Sequence, residues 1–230
     1  MDTHTLSPAQ LAAYIDHTLL KPGATAKDIE TLCGEARHHG FYGVCVNGCR
    51  VALARHFLED THIKVVGVVG FPLGALSNDA KRFETEAAID DGAQEIDVVL
   101  SLGWFKDGAD KLVLRELRDV VESADERPVK VILETGLLTR EEKMRACGLA
   151  VESGAHFVKT STGFNGGGAT VEDVRLLREI VGEKHGVKAS GGIRDAKTAL
   201  AMIQAGATRI GTSAGVAIME GLSETNAGSH

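Results

Sequence analysis

Short apolar runs recur along the chain, separated by polar stretches with helical patterning. Residues 13–15 lead into Asp16-His17-Thr18-Leu19, and further runs follow at 43–47, 64–70, 95–100, 129–134, 157–161, 187–190 and 209–213. These segments predict eight β-strands. The last seven begin 21 to 34 residues apart, and a strand, crossover helix and returning strand need about thirty.

The intervening stretches predict helices. Thr139-Arg140-Glu141-Glu142 is a capping box, and Thr170-Val171-Glu172-Asp173 opens a second helix with a weaker version of it. Helical patterns also cover 28–38, 78–91 and 110–123. Gly92, Gly154 and Gly206 each stand shortly before a strand, where glycine ends a helix in the left-handed region. Buried parallel strands with helices outside suit either an open doubly wound sheet or a closed barrel. The GxGxxG fingerprint expected after the first strand of a dinucleotide-binding sheet is absent. Eight strands with polar residues at many of their ends favour an α/β fold of the (β/α)8 TIM-barrel type. Ser7-Pro8 predicts an extra N-terminal helix across the barrel bottom. The expected organisation is one domain over 1–222 and a frayed tail over 223–230.

Charge and composition narrow the function classes. The formal net charge is −7 and no long basic tract is present, so a broad nucleic-acid surface is not expected. A small anion remains compatible, because a few local donors hold a phosphate. The N-terminus lacks a basic-then-apolar signal pattern, and no stretch reaches bilayer length. Cysteines at 33, 45, 49 and 147 form no framework, which points to free thiols in a reducing cytoplasm. Cys45 is expected to face a core or a pocket.

Charges inside strands that should be apolar on both faces mark the candidate chemistry. Lys159 follows Phe157-Val158, Lys188 stands in Val187-Lys188-Ala189-Ser190, and Asp97 interrupts Glu95-Ile96-Asp97-Val98. Neighbouring strands bring the two lysines together, and Asp97 comes within reach across a narrow barrel. A lysine amine attacks a carbonyl only when unprotonated, and desolvation or a neighbouring cation promotes that state. Lys188 is the neighbouring cation for Lys159, and Asp97 is placed to move protons. The plainer alternative is that these charges are ion pairs supporting the fold. Strand-start Lys64 and Lys130 are expected at the surface for such a role. Glu134 is expected to orient Lys159 or Lys188 by an ion pair. Asp16 and Thr18 are expected at the rim near a substrate hydroxyl, and His17, on the opposite face, to be structural.

Glycines and hydroxyls cluster after the late strands. Thr162-Gly163, Gly166-Gly167-Gly168, Ser190-Gly191-Gly192 and Gly211-Thr212-Ser213 follow the last three strands, and barrels bind phosphate on backbone N–H groups in the loops after strands 7 and 8; the plainer alternative is tight turns alone. Arg194 adds charge there or simply starts a helix. No histidine cluster has metal-ligand spacing, and imine chemistry needs no metal or other cofactor.

These segments, together with Ile15-Asp16-His17-Thr18-Leu19-Leu20-Lys21-Pro22, Val44-Cys45-Val46-Asn47, Val69-Gly70-Phe71-Pro72-Leu73-Gly74 and Lys188-Ala189-Ser190-Gly191-Gly192-Ile193-Arg194, resemble the 2-deoxyribose-5-phosphate aldolase family. The resemblance runs in order from residue 15 to residue 213. It implies that Lys159 is the Schiff-base lysine, Lys188 the second lysine and Asp97 the aspartate of the proton relay. It places Asp16 and Thr18 near substrate hydroxyls and Gly163, Gly191, Gly192, Gly211 and Ser213 at the phosphate. Cys45 and Thr162 complete the candidate substrate-binding set. The implied substrate is a small phosphorylated sugar, and the implied assembly a monomer or homodimer. The family commonly continues from its aspartate toward an asparagine, where this chain has Val98-Val99-Leu100-Ser101. Some members carry a lysine where Phe164 stands, and some end in a tyrosine where this chain has Gly228-Ser229-His230.

Two rival classes stay open on the residues alone. One is another lysine-dependent barrel aldolase or dehydratase acting on a different substrate. The other is a non-catalytic phosphosugar-binding protein, which needs the glycines but gives a desolvated lysine pair no task.

Overall fold

The computed structural model describes residues 6–227, with side chains to Leu222. Its strands are β1 (Ile15–Leu19), β2 (Gly43–Val46), β3 (Lys64–Val69), β4 (Glu95–Val99), β5 (Val129–Ile132), β6 (Phe157–Lys159), β7 (Gly186–Ser190) and β8 (Arg209–Thr212). Each pairs in parallel with the next, and β8 returns to β1, closing the predicted barrel.

Helix α1 (Pro8–Ala12) is the expected N-terminal addition. Ser7 caps it, and Leu11 and Ala12 are buried. The outer helices are α2 (Ala26–His39), α3 (Val51–Leu58), α4 (Asn78–Asp90), α5 (Leu102–Lys106), α6 (Asp110–Ser123), α7 (Arg140–Glu152), α8 (Val171–Val181), α9 (Ala196–Gln204) and α10 (Gly215–Ala227). The capping box at Thr139 forms as predicted, and Thr170 accepts from the Asp173 N–H. Gly92, Gly154 and Gly206 all have positive φ, as the helix-to-strand turns require. The expected frayed tail begins inside α10, whose backbone continues to Ala227; residues 228–230 lie outside the described residues.

Strand alternation sorts the core into two environments. Ile96, Val98, Val129, Val131, Val158, Val187, Ala189 and Ile210 face outward and pack with the helices in one apolar layer. The alternate residues face the barrel axis. Cys45, Val66 and Val68 make one apolar side of that interior with Leu20. Glu95, Asp97, Lys130, Lys188 and Arg209 make the other side, and each is at most 5% exposed. Small and branched side chains usually fill such interiors, so this charged layer requires a separate explanation.

Candidate active site

The C-terminal ends of β6, β7, β8 and β1 surround a cavity of about 250 Å³. Lys159 reaches it from the end of β6. Thr18, Thr162, Gly163, Gly191, Gly192, Gly211 and Ser213 also line it, as do Lys21, Phe164, Ser190 and Arg194. Gly163, Gly191 and Gly192 adopt positive φ. Their backbones turn there in a way a side chain resists. The late-strand glycine loops therefore converge on the opening that contains Lys159.

Asp97, Lys188, Asp16 and Cys45 lie beneath this cavity and do not line it. All four are fully buried. Strand register sets Lys159 directly beside Lys188. Lys159 Nζ and Lys188 Nζ both lie 2.8 Å from Asp97 Oδ2. Burial pushes the Asp97 carboxyl upward, but Lys130, Lys159 and Lys188 outweigh burial and hold it well below the usual carboxylate range. For Lys188, burial favours loss of the proton, and Asp16 and Asp97 reverse that and raise it. Lys188 is thus held as a cation next to Lys159. The Cys45 thiol, pushed by burial up to about 11, stays neutral.

Three sequence expectations need correction. Lys130 is not at the surface. It is fully buried, with Nζ 2.9 Å from Asp97 Oδ1 and 2.6 Å from Glu95 Oε2, because register sets it beside Asp97 on the inner face. Glu134 does not orient either lysine through an ion pair. It follows the end of β5 in left-handed backbone, and its carboxylate accepts from Thr162 and Asn165. Asp16 does not sit at the rim. Gly43 opposite it leaves room for its carboxylate, which lies 2.5 Å from Lys188 and 3.0 Å from Arg209 in the buried layer. Thr18, two residues on along the same face, is the β1 residue that reaches the cavity.

His17 does face outward, with Nε2 2.6 Å from Glu35. Ser101, at the departure from the family pattern, lies in a buried cluster with Lys81, Glu116 and the Gly74 carbonyl. It does not line the Lys159 cavity. Phe164 stands edge-on to Phe71, with ring centroids 5.2 Å apart. Sequence reasoning missed Lys21, Glu95, Lys130 and Arg209. The last three were legible only as charges at strand starts, where solvent contact is the usual expectation.

Residues 10–221 match the profile of the DeoC/LacD family aldolases. The chain belongs to that family. The aldolase is 58% identical over 219 residues to the deoxyribose-phosphate aldolase of Alkaliphilus oremlandii, spanning 95% of this chain and 99% of that one. It is 57% identical over 215 residues to the deoxyribose-phosphate aldolase of Thermococcus gammatolerans, spanning 92% and 96%. The tetrameric deoxyribose phosphate aldolase structure from Aeropyrum pernix superposes with a TM-score of 0.90 at 35% identity, covering 95% of this chain and 93% of that one. Among the described residues, no helix of the aldolase is long and apolar enough to cross a membrane.

Proposed function

We propose that this aldolase reversibly cleaves 2-deoxy-D-ribose 5-phosphate into acetaldehyde and D-glyceraldehyde 3-phosphate through an imine on Lys159. The observation that carries the assignment is the shared oxygen: Lys159 and Lys188 both contact Asp97 Oδ2, and of the three only Lys159 opens into the cavity. A purely structural ion pair has no need for one partner to face a cavity ringed by glycine turns. The relatives named as deoxyribose-phosphate aldolases support the substrate.

The reaction follows from these positions. Lys159 Nζ, once unprotonated, adds to the C1 aldehyde, and loss of water gives the protonated imine. The Asp97 carboxylate, beside the Lys188 cation, takes the proton of the C3 hydroxyl. The C2–C3 bond breaks, its electrons pass to the imine, and an enamine remains on Lys159. Glyceraldehyde 3-phosphate departs. Protonation at C2 and hydrolysis then release acetaldehyde and free the lysine. The phosphate sits against the backbone of Gly163, Gly191, Gly192 and Gly211 with Ser213, and Thr18 and Thr162 face the sugar. Asp16 and Cys45 act from below: Asp16 keeps Lys188 charged, and Cys45 walls the apolar side.

We place this enzyme in the cytoplasm, consistent with four free cysteines, and propose a homodimer. Phe83 and Leu112, 69% and 50% exposed, offer apolar surface for it. Light scattering at micromolar concentration tests the assembly. A coupled assay that detects acetaldehyde released from deoxyribose phosphate tests the reaction. Release of a different aldehyde, or none, would assign the lysine to another substrate.

A further inference from the structure

We infer that Glu95 and Arg209 are positioning residues: their paired charges complete a neutral ring beneath Lys159, leaving Lys159 the one surplus basic group in that layer among the described residues. The inference rests on Lys159 being the imine-forming lysine. The ring can be followed atom by atom. Asp97 Oδ1 meets Lys130 Nζ at 2.9 Å, and Lys130 Nζ meets Glu95 Oε2 at 2.6 Å. Glu95 Oε2 meets Arg209 Nη1 at 3.1 Å, and the same nitrogen meets Asp16 Oδ1 at 3.0 Å. Asp16 Oδ2 meets Lys188 Nζ at 2.5 Å, and Lys188 returns to Asp97 Oδ2 at 2.8 Å.

Three carboxylates alternate with three cations, so the closed ring is neutral. Each of the three cations touches two carboxylates. Lys159 hangs from the ring by one bond, to an oxygen that Lys188 already occupies. Net charge is costly in a water-excluded interior. The layer is balanced when Lys159 carries no charge and is one positive charge in excess when it does. The remaining strands change nothing in this count. β2 brings the neutral Cys45 thiol, and β3 brings Val66 and Val68. Lys64, on the same face at the start of β3, is half-buried at the foot of the barrel and, among the described residues, forms no ion pair with the ring, so its charge stays with solvent. Tyr42 supports the far side of the ring. Its hydroxyl donates to Glu95 at 2.8 Å, and its ring centroid lies 3.3 Å from Arg209 Cζ.

The ring therefore sets the charge felt by Lys159, and substitutions far from the cavity should move its chemistry in opposite directions. Removing a cation balances the layer with Lys159 protonated, so a more alkaline medium is needed for attack. Removing an anion does the reverse. The test is the pH dependence of borohydride trapping of acetaldehyde on Lys159, read by peptide mass spectrometry, in full-length protein with folding followed by circular dichroism. Arg209→Met should move half-maximal trapping upward by about one pH unit, and Glu95→Gln should move it downward by a similar amount. The Glu95→Gln/Arg209→Met double variant should return toward the parent, and Arg209→Lys should retain the parental profile. Should Arg209→Met fail to fold, Glu95→Gln alone carries the sign: a shift to lower pH supports the ring, and no shift or an alkaline one overturns it. Movement of both single variants in one direction also overturns it. Trapping absent from the unsubstituted enzyme instead removes the Lys159 assignment, a distinct failure that takes this inference with it.

Discussion

Lys159 and Lys188, side by side in register on adjacent strands, approach the same oxygen of Asp97 at the same distance, 2.8 Å. One is open to the cavity and the other is sealed beneath it. Replacing Lys188 by methionine keeps an unbranched stem, one atom shorter, and removes the cation from the relay. The expected outcome is a fall in kcat of about 10²–10⁴-fold, the range of a lost acid–base partner. Steady-state kinetics on the folded fraction would measure it, and near-parental turnover would remove Lys188 from the relay.

Gly211 has a second task besides lining the cavity. A Cβ built there would stand 3.0 Å from Lys188 Cε and 2.9 Å from Ser190 Cβ. Gly211→Ala should therefore displace Lys188 and lower kcat, beyond any rise in KM from a disturbed phosphate seat. A variant altered in KM alone would limit Gly211 to the phosphate.

Lys130 should behave as a core residue. Lys130→Met leaves Asp97 and Glu95 short of a partner in the interior, and breaking a buried pair from one side costs about 3–5 kcal/mol. Urea unfolding would show that loss. A change within about 0.5 kcal/mol, usual for a surface position, would contradict its placement.

How far the sequence could be read follows from the same residues. Parallel barrel strands are buried on both faces, so the eight apolar runs, and Asp97, Lys159 and Lys188 interrupting them, stood out. The glycine loops were legible because phosphate seats and tight turns select the same residue. Lys130 and Arg209 were not, since a charge at a strand start ordinarily meets solvent; only the register that sets Lys130 by Asp97 and Arg209 by Lys188 turns them inward. Asp16 was placed one layer too high because the first apolar run was read as ending there, whereas β1 begins at Ile15 and carries Asp16 near its start. Glu134 was misassigned because a left-handed residue after β5 redirects its carboxylate, and no pattern in the chain announces that turn.

The buried carboxylates also fix the acid response. For Asp16, burial raises the carboxyl, while Lys188, Arg209 and Lys130 outweigh it and lower it; Asp97 is lowered further. Folded values below the unfolded value of about 3.9 mean that the unfolded chain binds protons first. Their stabilisation is thus complete above that pH and is lost as pH falls through the folded values. Denaturant midpoints should decline below about pH 4, with a shallower slope in Asp97→Asn. An equal slope in both proteins would exclude Asp97 as a contributor.

The most direct test of the catalytic assignment is reduction with borohydride in the presence of deoxyribose phosphate, followed by peptide mass spectrometry. A substrate-derived adduct on the peptide carrying Lys159, absent from Lys159→Ala along with activity, is the predicted result. An adduct confined to another lysine, or turnover retained by Lys159→Ala, would contradict it.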